Sequence, residues 1–142
     1  MSSVNLVAVF AENKPGQTAR ITKILADAKV NIDWVTIASS GSFGVMKFLV
    51  DKRDQAVQAL KASGLMVSLL EVLAVQVENK PGALQAVADL LSRHNLNLDN
   101  ASGFVANNRA ILVIEVHDLP QARSVLQQQG LRLLTQEQMI RL

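Results

Sequence analysis

Cysteine and tyrosine are both absent, tryptophan occurs once and phenylalanine four times. Without cysteine there is no disulfide framework, no thiolate nucleophile and no thiolate metal site. The few aromatics, Trp34 among them, form no spaced pair on a predicted central strand, which argues against a base-stacking surface. Histidine occurs only at His94 and His117. Both are expected at the surface or at a helix end, and no metal site can be assembled from them. There is no Gly-rich phosphate cradle and no Gly-x-Ser-x-Gly turn, and the few carboxylates fall mostly at predicted helix faces or turns. No catalytic residue is therefore assigned, and neither a metal nor a cofactor is expected. Charged residues make up only 18% of the chain, net charge is +2, and no basic run exceeds Lys52-Arg53. Nucleic acid and anionic membrane are poor partners for such a surface. No apolar run approaches the ~20 residues that span a bilayer. The N-terminus, Met1-Ser2-Ser3-Val4-Asn5, lacks the basic and apolar regions of a signal peptide, so a cytoplasmic location is expected.

What the chain does have is an internal repeat. Glu12-Asn13-Lys14-Pro15-Gly16 returns as Glu78-Asn79-Lys80-Pro81-Gly82, 66 positions later. The same offset, without a gap, sets Asn31 on Asn97, Asp33 on Asp99, Val50 on Val116, Leu60 on Leu126 and Gly64-Leu65 on Gly130-Leu131. A register held over a whole unit marks a duplication. The expected domains are residues 1–70 and 71–142. With 49% apolar residues divided between two units that would each be marginal alone, a shared interface and a homodimer or higher homo-oligomer are expected.

Each copy carries the same pattern. Val4 to Ala11 is rich in β-branched residues and runs into the turn signal Asn-Lys-Pro-Gly, which reads as a strand. Pro15 suits the first position of a helix. Ile21, Ile24, Leu25 and Ala28 then follow at helical spacing. Strands are expected over 30–38 and 45–50 around the turn Ser39-Ser40-Gly41-Ser42, then a helix over 54–62 stopped at Gly64, then a strand over 65–70. The second copy repeats this, with a hairpin turn at Asn107-Asn108 and a helix over 119–128 stopped at Gly130. Thr135-Gln136-Glu137-Gln138 reads as a capping box that opens a tail helix. The fold class is α+β: two tandem ferredoxin-like βαββαβ units, each an antiparallel sheet with two helices on one face. No Pro or Gly separates the strands over 65–70 and 72–77, so these two are expected to meet head to tail and hold the units rigidly.

The candidate site is the duplicated loop. A helix N-terminus exposes unpaired N–H groups and about half a positive charge. Gly16 and Gly82 would let a ligand carboxylate come close to that backbone. Asn13 and Asn79, with Asn31 and Asn97 at the next strand, offer amides that can accept from an ammonium group. Local turn and capping roles explain each of these residues equally well when taken singly. Lys14 and Lys80 are expected to be solvated, and Trp34 to pack at an interface.

These motifs, Glu-Asn-Lys-Pro-Gly before an apolar helix followed by Val30-Asn31-Ile32-Asp33 and Leu96-Asn97-Leu98-Asp99, resemble the ACT domain family over essentially the whole chain. The resemblance implies a regulatory module of amino-acid metabolism. Its ligand would bind where one domain's first loop and helix meet a partner domain's strand. Matched by position, the ligand-binding residues are Asn13, Pro15, Gly16, Gln17, Asn31 and Ile32, with Asn79, Pro81, Gly82, Ala83, Asn97 and Leu98 in the second copy. The implied partner is a free amino acid, small or branched and apolar since no charge is placed to meet a charged side chain, together with a regulated metabolic enzyme. The alternative is a ligand-free scaffold or regulatory subunit of a biosynthetic enzyme such as acetolactate synthase. The copies diverge where Trp34-Val35-Thr36-Ile37 faces Asn100-Ala101-Ser102-Gly103, so their ligands or occupancy are expected to differ.

Overall fold

A computed structural model describes residues 3–142. The elements run β1 (Val4–Glu12), α1 (Gln17–Asp27), β2 (Ile32–Ser40), β3 (Phe43–Val50), α2 (Arg53–Ala62) and β4 (Met66–Val77). They continue with α3 (Ala83–Arg93), β5 (Leu98–Ala106), β6 (Arg109–Val116), α4 (Leu119–Gln128), β7 (Arg132–Leu134) and α5 (Gln136–Ile140). The chain divides into two compact units, Asn5–Leu70 and Glu71–Leu142, with Val4 grouped with the second. The two strands expected over 65–70 and 72–77 are a single strand, β4, that passes from one unit into the other. Nothing in Met66–Val77 interrupts extended backbone, so the break read between two repeats does not occur.

In the first unit the strand order is β2-β3-β1-β4. β1 and β3 are antiparallel from Val7↔Phe48 to Glu12↔Phe43, and β2 is antiparallel to β3. Period-two alternation puts Val7, Val9 and Ala11 of β1 on the same face as Met46, Phe48 and Val50 of β3. Helical spacing brings Ile21 and Leu25 of α1, and Ala56 and Leu60 of α2, onto that face to close one core.

The second unit has the same layout, with β6 and β7 on either side of the second half of β4 and β5 beyond β6. Its core joins Leu73 and Val75 with Val87 and Leu91 of α3, Ile114 of β6, and Ala122 and Leu126 of α4. The split βαβ order therefore occurs twice. α5 begins at Thr135 with a capping box, in which the Thr135 hydroxyl accepts from the Gln138 N–H and the Gln138 side chain accepts from the Thr135 N–H.

The hairpin turns differ between the copies. Gly41 alone has positive φ in the first, whereas Asn107 and Asn108 both do in the second. Two left-handed central residues make a type I′ turn, where asparagine is well tolerated.

Candidate ligand site

The duplicated loop has the same backbone twice. The Gln17 N–H donates to the Lys14 carbonyl at 3.3 Å, and the Ala83 N–H to the Lys80 carbonyl at 3.3 Å. Gly16 has φ 86° and ψ −12°, and Gly82 φ 90° and ψ −6°. These are type II turns with proline and glycine at the two central positions that turn favours. The helices therefore start at Gln17 and Ala83, not at the prolines as expected, because the left-handed glycine between cannot belong to a right-handed helix. Neither Asn13 nor Asn79 caps: Gly16 and Gly82 hold the N-cap positions, and no side chain bonds there.

Among the described residues, the N–H groups of Thr18 and Ala19 in the first turn of α1 find no backbone acceptor, and in α3 those of Leu84 and Gln85 find none. These are the orphan donors of a helix start, and they carry the positive end of its dipole. A Cβ built on Gly16 or Gly82 would meet nothing within 4 Å, so the space before each helix is open.

The asparagines are less alike than their sequence positions. In the first copy the Asn13 N–H donates to the Ser42 carbonyl at 2.7 Å and its side-chain Nδ2 to the Gly41 carbonyl at 3.2 Å. Asn13 thus ties its loop to the β2–β3 hairpin turn. The Asn79 side chain has no hydrogen-bond partner among the described residues, since the second hairpin turns on Asn107-Asn108 instead. Asn13→Ala is accordingly expected to cost about 1 kcal/mol in a urea titration, while Asn79→Ala leaves the midpoint unchanged.

Asn31 and Asn97 also keep their amides busy. Each donates through Nδ2 to the aspartate two residues on, Asp33 at 3.0 Å and Asp99 at 2.9 Å. Both aspartates sit where the pairing of β2 with β3, or of β5 with β6, shifts register. In the first copy Asp51 also accepts from the Asn31 N–H at 2.9 Å. The second has His117 at that position, and among the described residues this bond has no counterpart. His94 ends α3 with Nδ1 against the Leu90 carbonyl at 3.0 Å.

Within one unit these residues do not converge. Asn13, Pro15, Gly16 and Gln17 lie at the start of α1, while Asn31 and Ile32 follow its end. Eleven helical residues, about 16 Å of helix, lie between the two groups. The same separation holds in the second unit between Asn79, Pro81, Gly82 and Ala83 and the pair Asn97 and Leu98.

The rim charges are paired. Lys14 lies 3.4 Å from Glu12, and Lys80 lies 2.9 Å from Glu78. The hydrogen bond from Lys80 holds the Glu78 carboxyl below its ordinary value, and Glu78 holds the Lys80 ammonium above its own.

A hollow adjoins each loop. In the first unit it measures about 640 Å³ and reaches Pro15, Gly16, Gln17, Arg20, Phe43 and Met66. In the second it measures about 340 Å³ and runs along α3 past Ala83, Ala86, Val87 and Leu90 to Leu131. No local motif marks Arg20 or its counterpart Ala86 in the sequence; the 66-residue register, which pairs them, is the signal that sets them against each other. Among the described residues no group of three or more His, Asp or Glu is placed to hold a metal ion, and no helix is long and apolar enough to cross a membrane.

Protein BT0572 from Bacteroides thetaiotaomicron is 28% identical to this chain, with a TM-score of 0.92 over 99% of this chain and 98% of that one. The aspartate kinase regulatory subunit from Thermus flavus is 18% identical, with a TM-score of 0.62 over 89% and 92% of the two chains. Its counterpart from Thermus thermophilus, in a ligand-free form, is 16% identical, with a TM-score of 0.58 over 89% and 91%. At those identities the aspartate kinase subunits share the fold alone. No curated protein matches the sequence. The ACT domain pair family matches residues 2–142, and the chain belongs to that family.

Proposed function

We propose that this chain is a non-catalytic regulatory protein that binds a free amino acid at the starts of α1 and α3 and passes that signal to a partner enzyme. The observation that carries the reading is the twice-built helix start, with a left-handed glycine, open space before it and two N–H groups without backbone acceptors. An α-carboxylate suits those donors. In the first unit Lys14 is paired with Glu12 and the Arg20 guanidinium is engaged at the Ser63 carbonyl, so both cations beside the helix start already have partners, and a small or branched apolar side chain is favoured.

Because Asn31 and Ile32 lie a helix length from Gly16, we take the strand that completes the site to come from a second copy of the chain, which makes the binding form a homodimer or larger. A ligand shifts a partner's equilibrium only by its difference in affinity between two states. A metabolite sensor needs roughly −8 to −4 kcal/mol, the micromolar to millimolar range. For about nine heavy atoms this lies under the small-ligand ceiling.

A thermal-shift screen of the common amino acids tests the reading. At least one is expected to raise Tm, and Asn79→Ala to reduce its effect without destabilising the unliganded protein. A screen in which no amino acid raises Tm would favour the alternative, a scaffold or regulatory subunit of a biosynthetic enzyme such as acetolactate synthase, with no ligand of its own.

A further inference from the structure

The two units treat one equivalent position in opposite ways. In the first, Arg20 leaves α1 and its Nη2 donates to the Ser63 carbonyl at 2.9 Å. Ser63 is the C-cap of α2, whose last turn also carries Lys61. The negative end of that helix is therefore met by two cations of its own unit.

In the second unit Arg20 is replaced by Ala86, Ser63 by Gln129 and Lys61 by Gln127. α4 has no basic residue in its last turn, and no donor to the Gln129 carbonyl is found among the described residues. The hollow of this unit extends along α3 to Val87 and Leu90, whose counterparts Ile21 and Ile24 do not line the first hollow, where Arg20 forms part of the wall. Where one unit sets its own guanidinium against the end of its second helix, the other has an apolar groove that ends at the C-terminus of α4.

We propose that this groove binds a small guanidino or alkylammonium compound. Its cation takes the place of the Arg20 guanidinium at Gln129 and the end of α4. Its aliphatic stem lies on Val77, Ala86 and Leu131, as the stem of a long cationic side chain lies on apolar surface. The cations on the rim do not oppose it, since Lys80 is paired with Glu78 at 2.9 Å and Arg93 with Asp89 at 3.1 Å. The proposal deepens the amino-acid reading by giving the second unit a side-chain class, because the groove begins at Ala83 beside the helix start.

Two probes separate the two ideas in the full chain. Agmatine carries the stem and guanidinium without a carboxylate and reads the groove. L-Alanine carries the ammonium and carboxylate without a stem and reads the helix start. Agmatine is expected to raise Tm of the wild type and to bind with a stoichiometry of one in calorimetry. Ala86→Arg, at an exposed position, restores the cation that the first unit has there and is expected to weaken agmatine binding at least tenfold while the variant stays folded. Arg20→Ala is expected to open a second agmatine site. The proposal is overturned if agmatine does not bind, if Ala86→Arg binds it as the wild type does, or if Arg20→Ala keeps a stoichiometry of one. The response to L-alanine bears on the helix-start reading alone.

Discussion

Leu91→Ala is expected to lower stability by about 2–5 kcal/mol. Leu91 is fully buried, and α3 places it in the cluster that joins Val75 of β4, Ile114 of β6 and Leu126 of α4. Removing its isobutyl group takes away the transfer free energy of those atoms and leaves a cavity between a sheet and two helices that cannot easily close over it. A folded domain has only about 5–15 kcal/mol in hand, so the loss is a large share of the total. Leu25→Ala, at the equivalent place in the first core, should cost a similar amount. Circular dichroism in a urea titration reads both variants. Trp34, the only tryptophan, lies on β2 and lets fluorescence follow the first unit separately. A cost below about 1 kcal/mol for Leu91→Ala would contradict the packing of the second core, since even a trimmed methylene in a dense interior is felt at that level.

Gly16→Ala and Gly82→Ala are each expected to cost about 1–2 kcal/mol, for a different reason. Neither added methyl would touch anything within 4 Å, so no packing term enters. The cost is conformational. At φ 86° and 90° an L-residue crowds its own carbonyl, and the type II turns that lead into α1 and α3 need that geometry. Relaxing the turn would also tilt the first N–H groups of the helix, so ligand affinity at the altered site should fall by at least tenfold. Guanidinium titration gives the first quantity and calorimetry with the stabilising amino acid the second. A Gly82→Ala protein as stable as the parent would show that the turn is not held as described.

The elements and their cores were legible in the sequence because they depend on short-range periodicity. Val7, Val9 and Ala11 alternate, Ile21 and Leu25 recur at helical spacing, and both sets lie in the first core. The left-handed glycines that end α2 and α4, and the capping box at Thr135, followed from local chemistry in the same way. Boundaries were less legible where a single dihedral decided them. Pro15 suits a first helical position, yet the left-handed Gly16 moves the start of α1 to Gln17.

The candidate site was legible in its residues and not in its geometry. Asn13 and Asn31 looked like partners because both recur at the same offset, but a repeat records equivalence between copies, not proximity within one. They lie at opposite ends of β3, Asn13 beside Ser42 and Asn31 beside Asp51. Asn13 is spent on the Gly41 carbonyl, and Asn31 on Asp33, through contacts that exist only once the hairpin and the register shift of β2 have formed.

By itself, the sequence determined the duplication, the order of the elements and the twin Pro-Gly turns, since each is written in neighbouring residues or in one fixed offset. Tertiary structure alone decided what the duplicated residues face. It carried the Arg20 side chain from α1 to the end of α2, and among the described residues it gives the end of α4 no such bond. Those outcomes depend on how helices cross a sheet, and a helix can bring together residues as far apart in the chain as Arg20 and Ser63 while separating Asn13 from Asn31.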